Sequence, residues 1–371
     1  MPVGGGSRKP RVLCLSAYEA ASHRQWRECL ERRLTGYEWH NLTLPPRHFR
    51  WRIRGNPLSW LNEPLLEQSW DLLVVTSMVD LATLRGIQPA LAGIPAVAYF
   101  HENQFAYPDR RTGQGSNEPG IVNLYTALAA DRLLFNSDWN RRSLIEGVET
   151  LMRRLPDYKP RDLTRRLESK SEVVPVPIED ALFRERDRAW PAVPHLVWNH
   201  RWEYDKGPDR LLAILRALRD AGQAFRISVV GQQFRAAPEA FELIRSEFPE
   251  ALVHFGFLAS EDEYQRLLGE ADLVLSTALH DFQGLAVLEG MAAGATPVVP
   301  DRLAYPEYVD SALRYESSEA DVEGEAASAA TLISRIIGGA RPGAAAFRPD
   351  AYRASRLLPH YERVFSGLLA D

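Results

Sequence analysis

Cysteine is scarce in this chain: 371 residues hold only Cys14 and Cys29. Their spacing matches neither a CxxC pair nor a disulfide framework, which sets aside a thiolate metal site and a disulfide-stapled module. Cys14 lies in an apolar run and reads as a small core residue. Long hydrophobic runs are lacking too. No stretch approaches the roughly 18 apolar residues of a membrane-spanning helix. The opening residues, MPVGGGSRKP, carry no apolar signal-peptide core. We therefore expect a flexible tail over 1–9, a cytoplasmic location and no membrane partner. Neither sign of charge dominates: 44 Lys and Arg against 49 Asp and Glu leave a net −5. No global basic field announces nucleic acid, so any phosphate contact must come from a local patch. No cluster of His, Cys and Asp has metal-ligand spacing, and no metal is expected. No short-period repeat is visible, which excludes a solenoid.

What is present is a globular composition, 45% apolar and 25% charged, at a length that suits two domains. Short apolar runs alternate with helix-length amphipathic segments. Strands are expected at Val12–Leu15, Leu72–Val75, Ala96–Phe100, Arg132–Phe135 and Val173–Val176. A second series follows at Leu196–Asn199, Arg226–Val230, Leu252–Phe255, Leu273–Ser276 and Pro297–Val299. Continuous apolar runs without alternation suit parallel strands buried on both faces. Two series predict an α/β protein of two Rossmann-like, doubly wound domains, 10–185 and 186–345, with a linker near Phe183–Pro194. An amphipathic helix over 346–371, continuing through Pro359, is expected to pack back on the first domain. Ligands of such sheets bind beyond the carboxyl ends of the strands. If the two sheets face one another, those ends converge on an inter-domain cleft.

Residues with chemical potential do follow strands. From Ala278 the chain reads ALHDFQGLAVLEGMAAGATPVV, a strand end, a glycine turn and a helix. Gly284 permits close backbone approach, and a helix starting near Leu285 points free N–H groups at an anion. Asp281 and Glu289 stand eight positions apart, one before the helix and one inside it. As a bare acid near a helix start, Glu289 also fits simple dipole compensation. After the first strand of this domain comes NHRWEYDKGP, where Arg201 and Lys206 can aim charge-assisted hydrogen bonds at a diphosphate. Phe257 and Leu258 follow the third strand. In the first domain, His101 follows a strand and is trailed by Glu102, Asn103 and Gln104. A helix beginning about Ser22, read as an N-cap, offers amides beside His23. Pro45–Trp60 interleaves Arg47, Arg50, Arg52 and Arg54 with Phe49, Trp51 and Trp60, a pattern that can pair with phosphate and stack on bases. The stretch from Arg141 to Lys170 is also basic, diluted by acids, and equally reads as a solvated helix face.

These segments resemble the GT-B glycosyltransferases of family 4. Asp281 and Glu289 occupy its E-x7-E motif, with Asp in place of the first Glu, and Arg201 and Lys206 match its G-R-x-x-x-x-K-G pattern. The resemblance implies that Asp281 holds the donor sugar and Glu289 the ribose. It places Gly284 and Leu285 at the distal phosphate, Arg201 and Lys206 at the diphosphate, and Phe257 and Leu258 at the base. His101 would contact the donor sugar. Many relatives carry Gly-Gly where this chain has Ala20-Ala21.

A narrower resemblance rests on three segments, YEAASH, LPPRHFRWRIRG and FHENQFAYP. Together with HDFQG they look like the tRNA-queuosine α-mannosyltransferase family over most of the chain. That likeness implies retaining transfer of mannose from GDP-mannose to queuosine at the anticodon position of tRNA-Asp. No cofactor is implied beyond the sugar nucleotide. Acceptor contacts would come from Ser22, His23, Arg47, Arg50, Trp51, Arg52, Arg54, Glu102, Asn103 and Gln104. Catalysis would fall to His101, Arg201, Lys206 and Asp281. No carboxylate pair invites double displacement. Two alternatives stay open at the level of sequence: a related transferase with a small-molecule, glycan or lipid acceptor, and a tRNA-binding protein with a decayed donor site. The sequence leaves the oligomeric state open.

Overall fold

The computed structural model describes residues 8–107, 117–184, 190–234, 237–339 and 349–370. Most of the expected tail and the middle of the expected linker lie outside the described residues. The chain divides into two compact units, 1–177 with 354–371, and 178–353.

The first unit is a six-stranded parallel sheet. Its strands are β1 (Arg11–Ser16), β2 (Glu38–Thr43), β3 (Leu72–Thr76), β4 (Ala96–Phe100), β5 (Arg132–Phe135) and β6 (Ser171–Val173), in the order β2-β1-β3-β4-β5-β6. Between them run α1 (Ala21–Arg33), α2 (Phe49–Ser59), α3 (Leu81–Ile87), α4 (Glu118–Ala129), α5 (Asp138–Arg154) and α6 (Leu163–Glu168). β3 and β4 are buried at every position, as strands covered by helices on both faces must be. Two expectations shift. β2 was not legible, because this edge strand is half exposed and mixes polar with apolar residues. β6 ends at Val173, where a strand was expected to begin, and Val174 continues only as a backbone donor to Phe135.

The second unit holds β7 (His195–Asn199), β8 (Arg226–Val230), β9 (Leu252–Gly256), β10 (Leu273–Leu275), β11 (Thr296–Pro300) and the two-residue β12 (Arg314–Tyr315). They form a parallel sheet ordered β12-β11-β10-β7-β8-β9. Its helices are α7 (Pro208–Asp220), α8 (Ala240–Glu247), α9 (Glu261–Glu270), α10 (Leu285–Ala292) and α11 (Val322–Ile337). This unit begins at Ile178 instead of 186, because Ile178 pairs with Arg353 and donates to the Tyr352 carbonyl at 2.8 Å. Buried Glu325 of α11 lies between Arg210 of α7 and Arg302, and Arg302 also donates to the Ala278 carbonyl at 2.9 Å. That buried triad fixes the start of the loop after β10.

α12 (Ala354–Ala370) runs through Pro359 and belongs to the first unit, as expected. Tyr361 anchors it. The Tyr361 ring is fully buried, its hydroxyl accepts from Trp26 Nε1 at 3.0 Å and donates to the Pro175 carbonyl at 2.9 Å. Removing that hydroxyl leaves a buried indole N–H without its partner. Tyr361→Phe should lose about 1–3 kcal/mol of stability, read as a lower denaturant midpoint with an unchanged slope.

Candidate active site

Each sheet has one place where successive crossovers turn back, and there the loops part to leave a crevice. In the first sheet it lies between β1 and β3; in the second, between β7 and β10.

The second switch point gathers the residues singled out after strands. The loop after β7 carries Arg201, and a single 3-10 turn, Tyr204–Lys206, brings Lys206 back beneath it. Lys206 is buried, and its Nζ donates to the His280 carbonyl at 2.7 Å. The same ammonium lies 3.6 Å from Asp205 and 3.6 Å from Asp281. Arg201 is exposed and pairs with Glu203 at 2.9 Å. Asp281 accepts the Gly284 amide at 3.0 Å and so shapes the turn into α10. Burial alone would raise the Asp281 carboxyl; Lys206, His200 and the Gly284 amide outweigh it, and the net shift is downward. Asp281 therefore stays an anion beside Lys206.

Gly284 has φ +79, the left-handed region that suits glycine. A Cβ there would lie 2.3 Å from the Tyr308 hydroxyl and 2.8 Å from the Tyr305 ring. Glycine is thus demanded by the residues behind the turn as well as by its backbone. No side chain caps α10, which leaves its first amides for an anion, with Leu285 at the first position. One turn further, Glu289 accepts from Tyr264 Oη at 2.6 Å. Asn199 at the end of β7 donates to that same hydroxyl at 2.9 Å and to the Ala286 carbonyl at 2.9 Å. Tyr264 and Asn199 were not singled out by sequence. Asn199 obeys the strand-end rule, whereas Tyr264 lies on α9 and only folding brings it to Glu289. Phe257 is well exposed beyond β9, and Leu258 is half-buried beside it.

The first switch point joins β1, β3 and β4. His101 follows β4 and is almost wholly buried, stacked on His23 at 4.0 Å between ring centres. Trp26 and Tyr99 close the other sides. Burial, then the neighbouring His23, hold the His101 imidazole well below its usual range, so it is neutral. Its Nε2 is buried without a partner. Glu102 bridges Ser77 Oγ at 3.0 Å and His23 Nε2 at 3.1 Å. Ser77, directly after β3, is a further residue the sequence reading passed over.

Other expected contacts separate. Asn103 is fully buried; its amide donates to Asn140 and Ser143, and its oxygen accepts from Phe105 and Ala106. It builds the loop. Gln104 is half-buried against Met78. Ser22 is not the N-cap: α1 starts at Ala21, because Ala20 is the residue that leaves the extended conformation. α1 consequently has no side-chain cap, and its first amides stay available. Arg47, just before α2, and Arg50 and Trp51 on it are exposed. Arg52 is buried, and Arg54 pairs with Asp80, the cap of α3.

Residues 11–178 match the family model described as the tRNA-queuosine alpha-mannosyltransferase N-terminal domain, and 194–335 match Glycosyl transferases group 1. The chain is 31% identical to the tRNA-queuosine alpha-mannosyltransferase of Drosophila melanogaster, over 98% of both proteins. It belongs to the tRNA-queuosine α-mannosyltransferase family. This family member is a glycosyltransferase of GT-B architecture with two Rossmann-like domains. A GDP-mannose-dependent alpha-(1-6)-phosphatidylinositol dimannoside mannosyltransferase of Mycobacterium tuberculosis is 28% identical over 37% of each chain. The sucrose-phosphate synthase of Thermosynechococcus elongatus superposes with a TM-score of 0.70 at 14% identity, covering 97% of this chain and 99% of that one. No helix among the described residues is long and apolar enough to cross a membrane.

The crevice between β7 and β10 also sets a pH response. His200, beside Lys206, is buried, and burial followed by Lys206 lowers it to about 4. Between pH 6.5 and 4 the unfolded chain takes a proton that the folded imidazole refuses. Stability therefore falls as pH drops through that window, by on the order of 3 kcal/mol from this group. His200→Gln should flatten the decline of the thermal midpoint between pH 6.5 and 4.5 relative to the unaltered protein.

Proposed function

We propose that this glycosyltransferase moves mannose from GDP-mannose to queuosine in tRNA, with retention at the anomeric carbon. The full-length identity with the Drosophila enzyme carries this reading. A GDP-mannose-dependent relative supports the donor.

Under this reading the second unit takes the donor. Its diphosphate approaches the backbone at Gly284, whose own amide stays on Asp281, and meets the Leu285 amide and the cations of Arg201 and Lys206. Both cations are already paired with carboxylates, Arg201 with Glu203 and Lys206 with Asp281. Donor binding exchanges the half-buried Glu203 for phosphate. The Lys206–Asp281 pair is buried and stays, so Asp281 is held where a sugar hydroxyl can be read. Glu289, oriented by Tyr264 and Asn199, takes the ribose, and Phe257 with Leu258 takes the base. On the first unit, His23, Glu102, the amides near Ser22, and the exposed Arg47, Arg50 and Trp51 receive the acceptor. Arg52 and Asn103 support that surface from within, half-buried Gln104 lies beside them, and exposed Arg54 is held by Asp80. His101 is neutral and serves as a hydrogen-bonding group, not as a cation.

In the reaction, the acceptor oxygen attacks the anomeric carbon on the face from which the diphosphate leaves. One carbon–oxygen bond forms, the bond to the β-phosphate breaks, and a departing phosphate oxygen takes the acceptor proton. Arg201, Lys206 and the α10 amides stabilise the charge that builds on GDP. The scheme routes nothing through a metal ion or cofactor. A cytoplasmic location goes with a tRNA acceptor.

Incubation with queuosine-containing tRNA and GDP-mannose, followed by nucleoside mass spectrometry, should show a gain of one hexose. Absence of the gain with nucleotide-sugar binding intact would discard the tRNA acceptor; salt-sensitive tRNA binding without donor affinity would instead reveal a decayed donor site. Arg201→Ala should lower kcat by about 10²- to 10³-fold. Tyr264→Phe frees Glu289 to reorient and should raise the KM for GDP-mannose by about tenfold with kcat little changed. An equal loss in kcat would place Tyr264 in the chemical step.

A further inference from the structure

At the far end of the first unit lies a corner that the donor and acceptor residues do not use. α5 leaves the carboxyl edge of the sheet at its Ser137 cap and runs 17 residues back toward the amino edge. At 1.5 Å per residue it carries the chain about 25 Å from the acceptor loops. There the segment from Arg154 to Arg166 exposes Arg154, Lys159, Arg161, Arg165 and Arg166, against Asp157 and Asp162. Among the described residues none of these five cations is in an ion pair.

A solvated helix face normally mixes signs and pairs them one turn apart. The rest of α5 behaves that way: Asp138 pairs with Arg141 and Arg142, and Glu149 lies near Arg153. The dipole of α6 accounts for Arg165 and Arg166 in its last turn. Lys159 donates to the Arg153 carbonyl in the last turn of α5 at 3.1 Å, which anchors its ammonium. Neither helix end accounts for Arg161 or for Tyr158. Tyr158 is 97% exposed, and its φ of +47 is a conformation that aromatic side chains rarely adopt. The turn thus spends backbone strain to hold an aromatic ring in water between basic residues. Lys170 adds to the crowding. It is half-buried, capping the carbonyls of Leu128 and Ala130, and burial together with Arg166 lowers its ammonium to about 8. An anion at this corner would relieve like-charge repulsion.

We propose that the Arg154–Arg166 corner docks the phosphate backbone of the RNA acceptor at a stretch remote from the modified nucleotide, with Tyr158 stacking on an exposed base. Polyanion chemistry fits unpaired cations, and an exposed aromatic among them fits single-stranded or looped RNA better than an acidic protein surface. The separation of about 25 Å along α5 requires a long ligand. This inference rests on the tRNA reading above.

The test compares full-length queuosine-containing tRNA with an isolated anticodon hairpin carrying the same nucleotide. Two variants serve, Tyr158→Ala and the triple Lys159→Ala, Arg161→Ala, Arg165→Ala. Every substituted side chain is exposed, and an unchanged thermal midpoint confirms folding. With the triple variant, the KM for full-length tRNA should rise about tenfold or more, while kcat, the KM for GDP-mannose and the KM for the hairpin hold. The slope of log Kd for tRNA against log salt should shrink by about 2 to 3, one counterion for each lost cation. Unchanged tRNA binding, or an equal loss on the hairpin, would overturn the proposal. If the unaltered protein binds no tRNA, the acceptor reading fails and this surface with it. If it binds tRNA without transferring mannose, only the catalytic reading fails, and the salt slope still decides the surface.

Discussion

Everything in this protein depends on burying parallel strands on both faces. A strand covered by helices above and below has no polar face, so its interior residues are apolar, as Leu72–Val75 of β3, all of β4 and Leu196–Trp198 of β7 show. Polar side chains are then confined to the ends. Because all strands run the same way, every strand contributes its last residue to one edge. The crossover that reverses direction opens a gap there, between β1 and β3 in one unit and between β7 and β10 in the other. Ser77 and His101 are the first positions past β3 and β4, Asn199 is the last residue of β7 and Arg201 follows two residues later, so all four lie at that edge.

At each edge the fold uses burial to fix protonation. His101 and His200 are held neutral chiefly by loss of solvent, each with a like-charged or imidazole neighbour adding to the effect. Burial opposes the Asp281 charge, yet the carboxyl is held ionised, with Lys206 foremost and the Gly284 amide assisting. The second unit thus presents a net arrangement in which one cation, Lys206, is locked among carboxylates and another, Arg201, is loosely paired at the surface. Exposed pairs of the second kind contribute little stability, so Arg201 can leave Glu203 for another anion at small cost. The buried pair acts as a fixed frame.

The sequence was most legible where one physical rule acts locally. Apolar runs located nine of the ten expected strands, and the α10 segment declared its glycine turn and carboxylates eight positions apart. It failed where a neighbour decides. β2 is half exposed, so the rule of continuous apolarity does not reach it. Ser22 has the chemistry of a cap, yet Ala20 occupies that place because the backbone bends there. Asn103 sits among polar residues in a loop and looks like a contact, but its amide is consumed in building that loop. Arginine spacing on α2 likewise could not separate exposed Arg50 from buried Arg52 or from Arg54 paired with Asp80.

By itself, then, the sequence determined the fold class, the two sheets and the positions of His101, Arg201, Lys206, Asp281, Gly284 and Glu289, since hydrophobic pattern and strand-end placement are local properties of the chain. Only the tertiary structure decided which groups act together. Tyr264 reaches Glu289 from a different helix, Ser77 and His23 clamp Glu102 from two other segments, and Tyr308 stands behind Gly284. Those partners are 24 to 79 residues apart in sequence where the bonds are recorded. No local pattern links residues at such separations; they meet because packing parallel strands brings distant strand ends to one edge.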